Sequence, residues 1–209
     1  MNPQKQKQSF DLHVQTERLA AVRTFAGQCD YEARHCEQVA FLAERLFDGL
    51  SSVFPFSAEH RFWLTCGAIL HDIGWKQGQQ KHHKTSMRMI LSDTTMPLNP
   101  TERNRIALIA RYHRKTLPKS EHPVYGDLSN GERATIELLA GIVRLADGLD
   151  RTHTEIIEEL TVKIQTKRIT IVCKSKGLAQ MEINYGKEKT DLLQRATGWE
   201  VEILGAAFS

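Results

Sequence analysis

A chain of 209 residues that is 41% hydrophobic is long enough for one well-packed domain with a small appended unit, and two independent domains are not expected. With 28 basic against 25 acidic side chains the net charge is only +3, too mild for a general nucleic-acid binder, although local Arg and Lys clusters can still attract phosphate. No run approaches about 18 consecutive apolar residues, and the polar start MNPQKQKQSFDLHVQ lacks the apolar core of a signal peptide, so neither a membrane span nor export is expected.

Residues 1–11 read as a disordered head, and Leu12 to Gln28 as a first helix broken at Gln28-Cys29-Asp30. From Tyr31 to about Val53, the residues Val39, Leu42, Ala43, Leu46, Phe47 and Leu50 recur at three- and four-residue intervals, which marks one face of a helix. His35 lies one turn before Val39 on that face. Ser57 caps a helix through Phe62, Trp63, Cys66, Ile69 and Leu70, which ends near His71-Asp72-Ile73-Gly74, where Gly74 permits the turn. A short helix covers His83 to Leu91.

Asn99-Pro100-Thr101-Glu102 then supplies an N-cap, a proline at the first helical position and a capping Glu. That helix carries Ile106, Ile109 and Ala110 inward, and His113 continues the stripe. A second capping box, Ser129-Asn130-Gly131-Glu132, opens a helix with Ile136, Leu139, Ala140, Val143 and then Asp147 on one face. Past Thr152 the period changes: Leu160, Val162 and Ile164, then Ile169, Ile171 and Cys173, alternate with polar residues like a strand pair. Met181 and Ile183 suggest a third strand, Lys187 to Ala196 a short helix, and Trp199 to Leu204 a final strand. The expected fold is mainly α: a helical bundle over 12–155 and a small α+β subdomain over 156–209. Cys29, Cys36, Cys66 and Cys173 show no C-x-x-C spacing and read as reduced thiols of a cytoplasmic protein.

His35, His71, Asp72 and Asp147 fall on the inward faces or ends of three of these helices, where an uncompensated carboxylate would cost several kcal/mol. Imidazole and carboxylate are the usual ligands of a divalent zinc, manganese, iron or nickel ion, with magnesium also accepted by some of them. Taken singly, each residue is better explained by a buried hydrogen-bond network; together they favour metal. His113 and one of the adjacent His82 and His83 extend the set to a second ion. Two metals would supply hydroxide near neutral pH and neutralise a phosphoryl group under in-line attack. Arg114, Lys115 and Arg151 follow the proposed ligands closely and suit phosphate; Arg111 and Lys76 are equally explained as solvated surface.

The segments AILHDIGW, KHHKTSMRMIL, IARYHRK and RLADGLDRTH, in this order, resemble the C-terminal HD region of the exopolyphosphatase and guanosine pentaphosphatase family. The similarity runs from about Thr16 to Leu204 and includes RHCEQVAFLAERLFDGL and the tail GWEVEI. It implies an HD-domain helical bundle in which His35, His71, Asp72 and Asp147 bind metal. The histidine segment of that family reads much like KHHKHS, and this chain has Thr85 where a further His is common, which makes His83 rather than His82 the expected ligand. Resemblance to two-metal HD hydrolases of dinucleoside polyphosphates implies His83 and His113 together.

The exopolyphosphatases place their phosphate-cleaving site in actin-like domains ahead of the HD region. This chain has neither room for those domains nor a glycine-rich phosphate loop, so exopolyphosphatase activity is not expected to carry over. The expectation is instead a metal-dependent phosphohydrolase acting on a phosphate monoester or anhydride of a nucleotide, with Asp72 as ligand and proton acceptor. The competing reading is a non-catalytic module that binds polyphosphate or an alarmone, or mediates dimerisation. Exposed strand edges make a homodimer an expectation in either case.

Overall fold

A computed structural model describes residues 3–206, with side chains from residue 14 onward. Six helices come first: α1 (Pro3–Gln28), α2 (Ala33–Leu50), α3 (Ala58–Leu70), α4 (His82–Ser92), α5 (Pro100–Arg111) and α6 (Asn130–Gly148). Strands β1 (Ile157–Gln165) and β2 (Arg168–Ser175), helices α7 (Gln180–Glu188) and α8 (Asp191–Thr197), and strand β3 (Glu200–Gly205) complete the chain. The architecture is mainly helical with a small three-stranded sheet near the C-terminus. No helix among the described residues is long and apolar enough to cross a membrane.

Local chemistry sets most boundaries. Ser57, Asn99 and Ser129 each accept a hydrogen bond from the backbone N–H three residues on, and His60, Glu102 and Glu132 reach back to the cap. Each such cap stabilises its helix by about 1 kcal/mol. The apolar stripe of α2 buries Val39, Leu42, Ala43, Leu46, Phe47 and Leu50 against α3, α6 and β1. One continuous core also takes in Leu64, Ile69, Ile106, Ile109, Leu139 and Val143, and from the C-terminal elements Ile169, Ile171, Leu192 and Ile203.

Three expectations need correction. Helix α1 begins at Pro3 rather than Leu12, so the expected head of residues 1–11 is largely helical backbone, and Met1 and Asn2 lie outside the described residues. Met181 and Ile183 belong to helix α7, not to a strand: Glu182, Ile183 and Gly186 are its buried positions, a helical spacing, whereas Met181 is exposed. The edge of β2 that such a strand would occupy is taken by β3, which pairs with it in parallel from Arg168↔Glu200 to Cys173↔Gly205. Gly74, finally, has an ordinary φ of −84°. It is needed for space, because a Cβ there would lie 2.6 Å from Ser86 N and 2.7 Å from His82 O. That close approach seats the first turn of α4 beside the end of α3.

Candidate metal centre

The ends of five helices meet beside a cavity of about 560 Å³, which Asp72, His82, His113 and Asp147 line and His35 and His71 do not. His35 comes from α2, His71 and Asp72 from the end of α3, His82 from the start of α4, His113 from just past α5, and Asp147 from the last turn of α6. All four histidines are buried.

Their orientation follows from helix termini. The last carbonyls of a helix have no intrahelical partner, and an imidazole placed just beyond the end can satisfy one of them. His71 Nδ1 lies 2.6 Å from Ala68 O, His113 Nδ1 2.6 Å from Ala110 O, and His82 Nδ1 2.8 Å from Gln79 O. A carbonyl only accepts, so each Nδ1 carries the hydrogen and each Nε2 presents a lone pair. In His35 the same constraint comes from Asp150, whose Oδ2 accepts from Nδ1 at 2.8 Å.

The Nε2 atoms and two carboxylates then converge. His82 Nε2 is 3.0 Å and His113 Nε2 3.4 Å from Asp72 Oδ1, and these two nitrogens are 3.2 Å apart. His35 Nε2 and His71 Nε2 are 3.5 and 3.8 Å from Asp147 Oδ1. His35 Nε2, His71 Nε2 and Asp72 Oδ1 are buried and make no hydrogen bond. Acceptors this close, out of water, repel one another unless a proton or a cation lies among them. Two triads, His35–His71–Asp147 and His71–Asp72–His113, have ligand atoms mutually within 4.8 Å. The residues present therefore fit one or two divalent cations, and the chemistry of the donors does not choose among manganese, iron, zinc, magnesium and nickel.

Electrostatics agrees with this geometry. Burial opposes ionisation of Asp72, but His71 and the adjacent His82, whose Nε2 stands 3.0 Å away, hold its carboxyl below the usual range. Burial likewise opposes the charge on Asp147, which Lys189 and His35 more than offset. In His35, burial disfavours the cation, yet Asp147 and Asp150 together push the imidazole up to about 10, so that with no metal bound Nε2 carries a proton toward Asp147, which a divalent cation would displace. His113 goes the other way, far down, through burial and the neighbouring charge of His71.

Of the residues singled out in the sequence, His35, His71, Asp72, His113 and Asp147 come together here. His83 does not: it is His82 that stands against Asp72 and His113, while the His83 ring lies 6.4 Å from that of His113 and outside the cavity. The reason is helical geometry, since consecutive residues in the first turn of α4 point about 100° apart and only one can face inward. Burial and the positive charge around it push His83 down to about 4.

Arg114 and Arg151 line the cavity, Arg114 with its guanidinium 3.1 Å from His82 Nε2 and Arg151 over the Tyr185 ring at 4.7 Å. Lys115 does not line it; this residue sits at φ 60° with its carbonyl held by Arg144. Arg111 lies over Tyr112, and Lys76 pairs with Asp30.

Sequence reasoning missed Asp150, His153 and Lys189. His153 stacks on His35 at 3.8 Å and donates from Nδ1 to Glu32. Its signal was present in RTHTE but has no periodicity, because His153 and Glu155 both adopt positive φ in a tight turn. The four cysteines carry no disulfide.

Fold and site thus define a helical domain built around a buried histidine–aspartate cluster able to hold metal. Residues 18–193 match the family described as Ppx/GppA phosphatase, domain III, and the chain belongs to that family. No curated protein matches it.

Proposed function

We propose that the chain is an HD-type, metal-dependent phosphohydrolase that cleaves a phosphate monoester or anhydride, with nucleotides as the substrate class. The observation that carries this reading is the convergence of four buried imidazole Nε2 atoms, those of His35 and His71 without a hydrogen-bond partner, on two half-buried carboxylates, beside a cavity whose wall also bears Arg114, Arg151 and Lys189. A buried network built for stability alone would pair these atoms with donors. When bound, divalent cations supply a water of lowered pKa and neutralise phosphoryl oxygens.

In this reading His35, His71, His82, His113, Asp72 and Asp147 hold the cations, and the Nδ1 hydrogen bonds fix the tautomers that make this possible. Asp72, with one oxygen turned to the histidines, also accepts the proton of the attacking water. Arg114 and Arg151 bind the phosphate, by hydrogen bonds and by charge. Trp75 and Tyr185, also on the cavity wall, offer flat surfaces to a nucleobase.

Membership in domain III of a phosphatase family also supports a second reading, a non-catalytic module that binds polyphosphate or an alarmone, with a cation held only for structure. Elemental analysis of the purified chain, combined with phosphate release from a nucleotide panel in added manganese, separates the two. Wild type should hold one or two cations and release phosphate, and Asp72→Ala should lose at least about a hundredfold in turnover. A metal that stays bound with no turnover of any ester would give the second reading its place.

A further inference from the structure

Helix α7 ends at Glu188, and the next residue, Lys189, reaches into the metal centre from the C-terminal unit. Its backbone N–H is anchored to Tyr185 O and Gly186 O. Its ammonium donates to Asp147 Oδ2 at 3.0 Å and to His113 O at 3.3 Å. An ammonium has three donors, so one remains for the cavity that Lys189 lines. Asp147 is thereby divided: Oδ1 faces His35 and His71, and Oδ2 belongs to the lysine.

The passage of this side chain over α6 is built into the sequence. A Cβ on Gly148 would lie 2.8 Å from Lys189 Cγ and 3.0 Å from Tyr185 O. Only glycine at that position leaves α7 close enough for Lys189 to reach Asp147. Arg151, one turn further along, is packed over Tyr185 in α7. Two cations and an aromatic ring are thus fixed on one wall of the cavity by the contact between α6 and α7.

We infer that Lys189 is a substrate-contacting residue, the cation that the C-terminal unit contributes to binding a phosphoryl oxygen beside the metal centre. The inference rests on the phosphohydrolase reading of the site. Charge decides what Lys189 does to each partner. A fixed ammonium 3.0 Å from Asp147 Oδ2 would repel a divalent cation held by that carboxylate, and this would exceed the gain from orienting Asp147 by a single hydrogen bond. The same charge attracts phosphate, and a bound phosphate relieves the repulsion. Lys189 therefore works against metal affinity and for substrate affinity.

The test is Lys189→Met, which keeps an unbranched side chain one atom shorter and without charge, with Lys189→Arg in parallel and a thermal melt on both to show folding. Manganese binding is followed by calorimetry, and inorganic phosphate binding to the manganese-loaded chain by the same method. In Lys189→Met, manganese should bind roughly tenfold more tightly and phosphate roughly tenfold more weakly, and Arg should restore phosphate binding. A purely structural lysine would weaken both. Unchanged phosphate affinity in a folded Lys189→Met, or weaker manganese binding, overturns the inference. If wild type takes up no manganese, the phosphohydrolase reading fails by itself; phosphate binding to the metal-free chain then decides, with retention in Lys189→Met counting against Lys189 and loss counting for it.

Discussion

Gly67 lies one turn before His71 in α3 and faces α5, where an added Cβ would stand 2.4 Å from Ile109 Cγ2 and 2.9 Å from Ile109 Cβ. Carbon atoms in contact rest at about 3.5 Å or more, so Gly67→Ala demands roughly 1 Å of separation between α3 and α5, or an Ile109 forced off its rotamer. Overpacking of this kind costs about 1–3 kcal/mol, while alanine recovers about 1 kcal/mol of helix propensity. A net loss of up to about 2 kcal/mol is expected, which is up to about 8 °C in Tm for a chain of this size. The same displacement reaches the site, because α3 leads to His71 and α5 to His113, whose ring centroids are 4.7 Å apart. Manganese affinity should therefore fall with stability, by about tenfold, as ligand geometry loosens. Thermal melts and manganese titrations on Gly67→Ala, Ile109→Ala and the double variant check this. Truncating Ile109 removes the nearest contact, so alanine at 67 should cost less in that background. Gly67→Ala melting above wild type, or costing the same in both backgrounds, would refute the steric argument.

Two further outcomes follow from single contacts. Asp150→Asn keeps an acceptor for His35 Nδ1 but removes the negative charge that makes Nε2 a stronger base; manganese affinity should drop about tenfold with little change in secondary structure by circular dichroism. Asp93 accepts from Met96 N, Thr95 N and Thr95 Oγ1 and faces Arg103; burial opposes its charge, but these hydrogen bonds hold the carboxyl below its ordinary 3.8. A depressed carboxyl stabilises the fold above the unfolded value and loses that contribution as pH falls through the folded one. Urea unfolding of wild type and Asp93→Asn should differ by about 1–2 kcal/mol at neutral pH, with the gap closing only below about pH 4; a gap that is the same at pH 3 and pH 7 would show that the charge plays no part.

Much of the helical half was legible because its signals are local. The cap at Ser57, the capping boxes at Asn99 and Ser129 and the apolar stripe of α2 are properties of a few neighbouring residues, and the structure keeps each of them, adding His60 as the return partner at Ser57. Legibility failed where partners are distant. The segment around Met181 has too few apolar residues to distinguish a period of two from one of 3.6, and what decides it is β3, arriving from later in the chain to occupy the edge of β2. The extent of α1 is a similar case, since a polar sequence start carries no periodicity with which to place its beginning.

The choice between His82 and His83 shows why pattern alone falls short at a site. Both are buried, and a sequence motif cannot rotate a helix. The rotation of α4 is set by the 3₁₀ turns that precede it and by Gly74, whose N–H is bonded by Ser86 Oγ and whose missing Cβ admits the first turn of α4. With α4 fixed in that way, Gln79 O is left for His82 Nδ1, and Nε2 must face Asp72. His71 and His113 reach the same state by the same route, each satisfying the carbonyl three residues back at a helix end. Helix termini that would otherwise leave carbonyls unpaired thus impose one tautomer on three histidines, so the chemistry of the centre is a consequence of how the helices stop. By this logic, substituting Ala68 or Ala110 with another small residue leaves the centre intact, because the histidines read only the backbone at those positions.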